Sequence, residues 1–128
     1  KNIKFVKSNW FSDIKKNNFD LIVCNPPYVS KNDPVLRNSD IRFEPVSALV
    51  SGNDGLDDLK KIVQESRNYL KNNGWLIVEH AYDQGEKVRK LFLENKFTSK
   101  TIKDYNKLER ITFGRLLKKN GWQTTIKI

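Results

Sequence analysis

The apolar run Leu21-Ile22-Val23-Cys24 ends abruptly in Asn25-Pro26-Pro27-Tyr28, and nothing else in the 128-residue chain constrains its folding as tightly. Four apolar residues bounded by turn formers read as a short buried strand. Proline lacks an amide hydrogen and holds φ fixed, so two in succession stop a sheet ladder. They leave a stiff ledge at the strand's carboxyl end, which in open α/β sheets is where ligands bind. The ledge offers the planar amide of Asn25, carbonyls with no neighbouring N–H to compete, and the aromatic face of Tyr28. Such an inventory suits a flat substrate group carrying an NH2.

The chemistry follows from those groups. An amide or aromatic amine is a weak nucleophile because its nitrogen lone pair is delocalised. If the Asn25 side-chain oxygen and the Pro26 carbonyl each accept one N–H, the nitrogen is held at a set angle towards an electrophilic carbon. Tyr28 stacked on the flat group would stop it rotating. Positioning of this kind lowers a barrier by roughly 7–11 kcal/mol when the geometry is near attack. That scheme requires no acid, base or metal. A plain loop after a strand is the competing reading, since Asn-Pro is a common turn; placement at a strand's carboxyl end favours a site.

Strand and helix signals alternate along the chain, which argues an α/β fold with a mostly parallel sheet. Ile3 to Val6 and Asp20 to Cys24 read as strands, and residues 29–55 as a long irregular stretch containing Pro34, Pro45, Gly52 and Gly55. Loops of that length in a compact domain are usually functional or mobile. Leu56, Leu59, Ile62, Val63, Tyr69 and Leu70 recur at helical spacing over about 56–71, and Asn72-Asn73-Gly74 reads as that helix's stop. Trp75 to Glu79 forms the next strand. Asp83 with Glu86 resembles a capping box opening a helix that carries Val88, Leu91 and Phe92. Thr98 to Lys103 and Arg110 to Leu117 would be the last strands.

Asn25-Pro26-Pro27-Tyr28 resembles the (D/N/S)PP(Y/F/W) signature of methyltransferases that use S-adenosylmethionine (SAM) to methylate planar nitrogens. Downstream blocks narrow the likeness: Asp40-Ile41-Arg42-Phe43-Glu44-Pro45 with Ala48-Leu49-Val50, then Glu79-His80 with Gln84-Gly85-Glu86. A third block is Asp104-Tyr105 with Glu109-Arg110-Ile111-Thr112-Phe113-Gly114-Arg115. In this order they resemble the release-factor glutamine methyltransferases, the HemK-like family, from about Ile3 to Leu116. The resemblance implies a Rossmann-like class I fold with its final strand antiparallel, SAM as methyl donor and no metal. It implies transfer to the glutamine amide in the Gly-Gly-Gln loop of class 1 peptide chain release factors. Asn25 and Pro26 would grip the amide hydrogens, Pro27 would stiffen the ledge and Tyr28 would pack on the glutamine. Trp10 and Asn25 would touch SAM. Asn9 stands where the family usually has Asp.

Other features bound this reading. The six glycines, at 52, 55, 74, 85, 114 and 121, form no G-x-G turn after a strand, and there is no methionine. We therefore expect the chain to be the carboxyl-terminal part of a methyltransferase domain, truncated at its amino side and inactive alone. Residues 1–117 would form that part, and 118–128, with Trp122, a basic tail outside the resemblance. There is neither an apolar run of membrane-spanning length nor a leader-like start, and the lone cysteine suits the cytoplasm. Cys24 reads as a small buried residue. Glu79 and His80 end a strand on the ligand-binding edge and could line the pocket, though a single His there reads first as a satisfied polar residue. Glu44 and Arg42 could shape the substrate groove or pair across the loop; Arg110 and Arg115 could face the motif or solvent.

The net charge is +9, and residues 96–128 hold nine Lys/Arg against Asp104 and Glu109. Eighteen lysines against six arginines, with 14 asparagines and 10 isoleucines, look like AT-biased coding. Direct nucleic-acid binding is not expected, because no aromatics interleave with the lysines. The rivals are an adenine-N6 nucleic-acid methyltransferase, which would need a base-extruding segment, and a non-catalytic remnant.

Overall fold

The computed structural model describes residues 2–15, 18–37, 41 and 43–117. Arg42 and the tail from 118 to 128, Trp122 included, lie outside them. Six elements follow in order: β1 (Phe19–Cys24), α1 (Asp57–Ser66), β2 (Leu70–Glu79), α2 (Gly85–Glu94), β3 (Lys100–Lys103) and β4 (Glu109–Arg115). Short 3-10 turns at Pro34–Arg37 and Val46–Ala48 interrupt the long irregular stretch.

Connection length decides the sheet's topology. The links from β1 to β2 and from β2 to β3 carry helices, the kind of crossover that joins strands running the same way. Between β3 and β4 lie only residues 104–108, closed by the Asp104 amide donating to the Leu108 carbonyl at 2.8 Å. Asp104 Oδ1 also accepts the Asn106 and Leu108 amides, and Lys107 takes φ 62°. So short a link can only reverse the chain. The spatial order is β1-β2-β4-β3, with β1 parallel to β2 and β4 antiparallel to both its neighbours. β1, β2 and β3 therefore share one direction and β4 is inserted against them, as expected for a mostly parallel sheet with a reversed final strand.

Alternation of side chains along a strand sorts the sheet into two faces. The register aligns Ile22 with Leu76, Cys24 with Val78, Leu76 with Gly114 and Val78 with Thr112. That face is covered by Leu59, Ile62 and Val63 of α1 and by Val88 and Phe92 of α2, all fully buried. Each such side chain contributes roughly 1.5–3 kcal/mol by leaving water. The opposite face is open: Leu21, Val23 and Trp75 are 49%, 66% and 39% exposed. Among the described residues β1 is also a sheet edge.

Five local expectations fail. The strand Leu21 to Cys24, expected to be buried, packs one face only: nothing among the described residues covers Leu21 and Val23 on the other. Ile3 to Val6 is no strand; these residues take part in no sheet ladder among the described residues, and Phe5 is 92% exposed. The helix expected to reach residue 71 ends at Ser66, whose hydroxyl donates to the Val63 carbonyl at 3.0 Å. Tyr69 and Leu70 keep helical spacing but already serve β1, because the Phe19 amide donates to the Tyr69 carbonyl at 2.8 Å. Asn72-Asn73-Gly74 thus stops no helix. It bulges inside β2 between the partners Leu70 and Trp75, with Asn73 at φ 65°. Finally, no capping box forms: Gln84 occupies the N-cap of α2, no side chain caps it, and its amide is engaged elsewhere.

Candidate active site

β1 delivers Asn25 to the end of the sheet, and Pro26 and Pro27 carry the chain off the ladder. Pro26 is buried, Pro27 and Tyr28 are half-buried, and Asn25 is exposed. Together they line one wall of a hollow of about 660 Å³, with Val35, Ile41, Glu44, Leu49, Ala81 and Tyr82 among the residues opposite. Among the described residues, no hydrogen bond occupies the Asn25 carboxamide or the Pro26 carbonyl. Among the described residues both acceptors of the expected grip are therefore without a partner, on residues that line the hollow.

Tyr28 is held from two directions. Its hydroxyl donates to Glu79 Oε1 at 2.8 Å, and its carbonyl accepts from Gln84 Nε2 at 2.9 Å. Burial, followed by the hydrogen bond to Glu79 and that group's charge, raises the phenol above its ordinary value of 10.0, against an opposing pull from Arg110. Gln84 reaches further: Nε2 also donates to the Asp54 carbonyl at 3.3 Å, and Oε1 accepts the Ala81 amide at 2.9 Å. Gly55 makes the close approach possible. It sits at φ 75°, and a Cβ there would run into the Tyr28 carbonyl. The irregular stretch is laced to the motif by the Val29 amide on the Leu49 carbonyl and the Ser51 amide on the Val29 carbonyl.

Trp10 lies beside a second hollow, of about 400 Å³, with Phe11, Ile14, Phe19, Ile62 and the β1 residues Leu21 to Cys24. Cys24 lines this hollow and the next residue, Asn25, lines the one beside the ledge. Trp10 adopts φ 50°, unusual for a bulky residue. Its Nε1 donates to Asp58 Oδ1 at 2.8 Å, while Asp58 Oδ2 accepts the Ser51 hydroxyl at 2.6 Å. Burial, and then the Asp58 charge, push the Cys24 thiol up to about 11, which disfavours the thiolate.

The remaining candidates separate cleanly. His80 is fully buried, with Nδ1 at 2.8 Å from the Ala81 carbonyl and Nε2 at 2.8 Å from Thr112 Oγ1. Burial holds it below its ordinary 6.5; Glu109 pulls the other way, and Arg110 and Arg89 reinforce the drop. It is the satisfied structural residue that was expected. Arg110 faces the motif side, where it bears on Tyr28, and its Nε donates to Asp104 Oδ2 at 3.3 Å. Arg115 lies 5.6 Å over the Trp75 ring on the open face. Glu44 lines the hollow beside the ledge, while Asn9 sits apart with Lys61 and Glu65. Gln84 and Asp58 escaped the motif reading: Gln84 falls within a quoted block without an assigned role, and nothing local marks Asp58. Glu79, a candidate to line the pocket, holds the Tyr28 hydroxyl.

No protein-family model matches the chain. A ribosomal protein L11 methylase from Lactobacillus delbrueckii subsp. bulgaricus shares the fold, with TM-score 0.50 at 18% identity, covering 83% of this chain and 41% of that one. The architecture is therefore that of a class I methyltransferase. Sequence relatives sharpen the assignment. The release factor glutamine methyltransferase of Haemophilus influenzae is 46% identical over 114 residues, 88% of this chain and 39% of the relative. Those of Pseudomonas aeruginosa and Escherichia coli are 46% and 44% identical over 115 and 116 residues, each covered to 42%. The chain is thus homologous to the release factor glutamine methyltransferases, and spans about two fifths of their length, in their carboxyl-terminal part.

Proposed function

We propose that this chain supplies the substrate-gripping part of a SAM-dependent methyltransferase that modifies the glutamine side-chain amide of class 1 peptide chain release factors, in the cytoplasm. The observation that carries the reading is a pair of acceptors, the Asn25 carboxamide and the Pro26 carbonyl, that have no partner among the described residues and sit on a proline-stiffened ledge lining a hollow. They accept the two hydrogens of a primary amide and so aim its nitrogen. Pro27 keeps the ledge from yielding, and Tyr28 covers the flat face of the amide.

The residues present suit one end of SAM. Trp10 and Phe11 provide an aromatic wall on one hollow, and Asn25 an amide on the other. When bound, SAM supplies a methyl carbon made electrophilic by its sulfonium. The lining residues of the Trp10 hollow include no carboxylate for a ribose. Among the described residues no group of three or more His, Cys, Asp or Glu could hold a metal ion, and no helix is long and apolar enough to cross a membrane.

The test exchanges this chain for the matched segment of the Escherichia coli relative and supplies methyl-labelled SAM with a release factor, duplex DNA or neither. Label is expected on the release-factor glutamine. Label on adenine, or on neither substrate, sinks the reading. The 128-residue chain alone is expected to leave both unlabelled and to bind no SAM by calorimetry.

A further inference from the structure

Among the described residues, Tyr28 is the member of the ledge that other side chains hold at two points. Its phenol ends on Glu79 of β2 and its carbonyl on Gln84 at the start of α2. These contacts lie 51 and 56 residues away along the chain, one from the last residue of the neighbouring strand and one from the turn that follows it. Gln84 is 6% exposed, so its three hydrogen bonds form in a protected setting where each is stronger than in water. Gly55 leaves no slack, since even one methyl group there would meet the Tyr28 carbonyl and the Gln84 amide. A tyrosine ring free to swing would cover a substrate amide only part of the time. One fixed at both ends presents a single face.

We infer that Glu79 and Gln84 are positioning residues that act through Tyr28, setting the pitch of its ring and the height of its carbonyl so that a planar amide seated on Asn25 and Pro26 has one orientation. Neither touches the substrate. Their part rests on the ledge being the substrate grip, as proposed above. Glu79 works as a hydrogen-bond acceptor rather than as a base, so glutamine at that position keeps the function and alanine loses it. Gln84 works as a donor to carbonyls, so glutamate there sets a carboxylate against the Tyr28 and Asp54 carbonyls and breaks the bracket.

The experiment has two arms. In the first, the full 128-residue chain carries ring-labelled tyrosine, and Tyr28→Phe identifies the Tyr28 resonances. Glu79→Ala is expected to shift and broaden those signals while Glu79→Gln leaves them close to their original positions; unmoved signals in Glu79→Ala overturn the clamp. In the second arm, the exchanged enzyme is assayed for methyl transfer. Glu79→Ala and Gln84→Glu are each expected to lower kcat about tenfold with KM for SAM little changed, the scale of one misaligned contact in the transition state. Glu79→Gln should recover most of that loss. In a Tyr28→Phe background, Glu79→Ala should cost nothing further, because the contact is already gone. A second full loss there shows that Glu79 does not act through Tyr28. An exchanged enzyme with no transfer at all counts against the proposed function, while the resonance arm still decides the clamp.

Discussion

β1 and β2 lie side by side, run the same way, and each is followed at once by a polar side chain: Asn25 after Cys24, His80 after Glu79. The two have opposite fates. His80 is sealed, with both ring nitrogens bonded inside the protein. Asn25 is exposed at the rim of a hollow and bonded to nothing among the described residues. Position at a strand's carboxyl end does not by itself make a functional group. What separates the two is whether the fold has already used the residue's hydrogen-bonding capacity. Thr112, on the neighbouring β4, uses up that of His80; the two prolines carry the chain away before anything can do so for Asn25.

That contrast can be broken most directly at Asn25. Asn25→Ala in the exchanged enzyme is expected to slow methyl transfer by about a hundredfold or more, the scale of lost positioning, with unfolding by urea unchanged. Near-normal turnover would refute the role. His80→Ala should behave in reverse, destabilising the chain by roughly 2–3 kcal/mol through a cavity and a Thr112 hydroxyl left with Thr101 as its remaining partner. A urea midpoint equal to that of the unaltered chain would put His80 on the functional side instead.

Gly55→Ala sharpens the comparison, since it strains the turn under Tyr28 without touching either strand end. A loss of roughly 1–3 kcal/mol is expected from the left-handed backbone alone, measured by thermal unfolding. A more modest effect comes from pH. Burial holds the sole histidine neutral in the fold, with its pKa below 6.5. The unfolded chain therefore protonates first as pH falls, so stability is full above pH 6.5 and declines as pH drops through the folded value. Asp54 and Asp104, held below their ordinary 3.8 chiefly by backbone hydrogen bonds, titrate outside that interval. Urea midpoints compared between about pH 7.5 and pH 5.5 should fall for the unaltered chain and stay level for His80→Ala. The smallest change belongs to Arg115→Ala on the open face, where losing the stack on Trp75 costs about 0.5–1 kcal/mol; a greater loss would mean the guanidinium has a buried role.

Much of this was readable from residues alone. The ledge was, because proline's effect on a strand is covalent and needs no neighbour. The reversed last strand came with the resemblance, and the structure gives its cause in a link too short for a crossover. Helix α2 was legible through Val88 and Phe92, though its cap was not, because Gln84 had a better use for its amide thirty and more residues away. The stretch from Tyr69 to Gly74 misled for a different reason. Apolar spacing and an Asn-Asn-Gly turn satisfy a helix stop and a strand bulge equally well, and only pairing with β1 chooses between them. The clamp on Tyr28 was invisible, since contacts across 51 and 56 residues leave no local mark.

The paired rings at Pro26 and Pro27 carry one more consequence. Each ring restricts its own φ, and each also narrows the conformations open to the residue before it, so Asn25 and Pro26 are confined to extended backbone even in the denatured chain. The grip's shape is therefore written into covalent geometry more than into packing. Core substitutions that loosen α1 or α2 should blunt the enzyme by thinning the folded population, while each molecule that does fold keeps an undistorted vise.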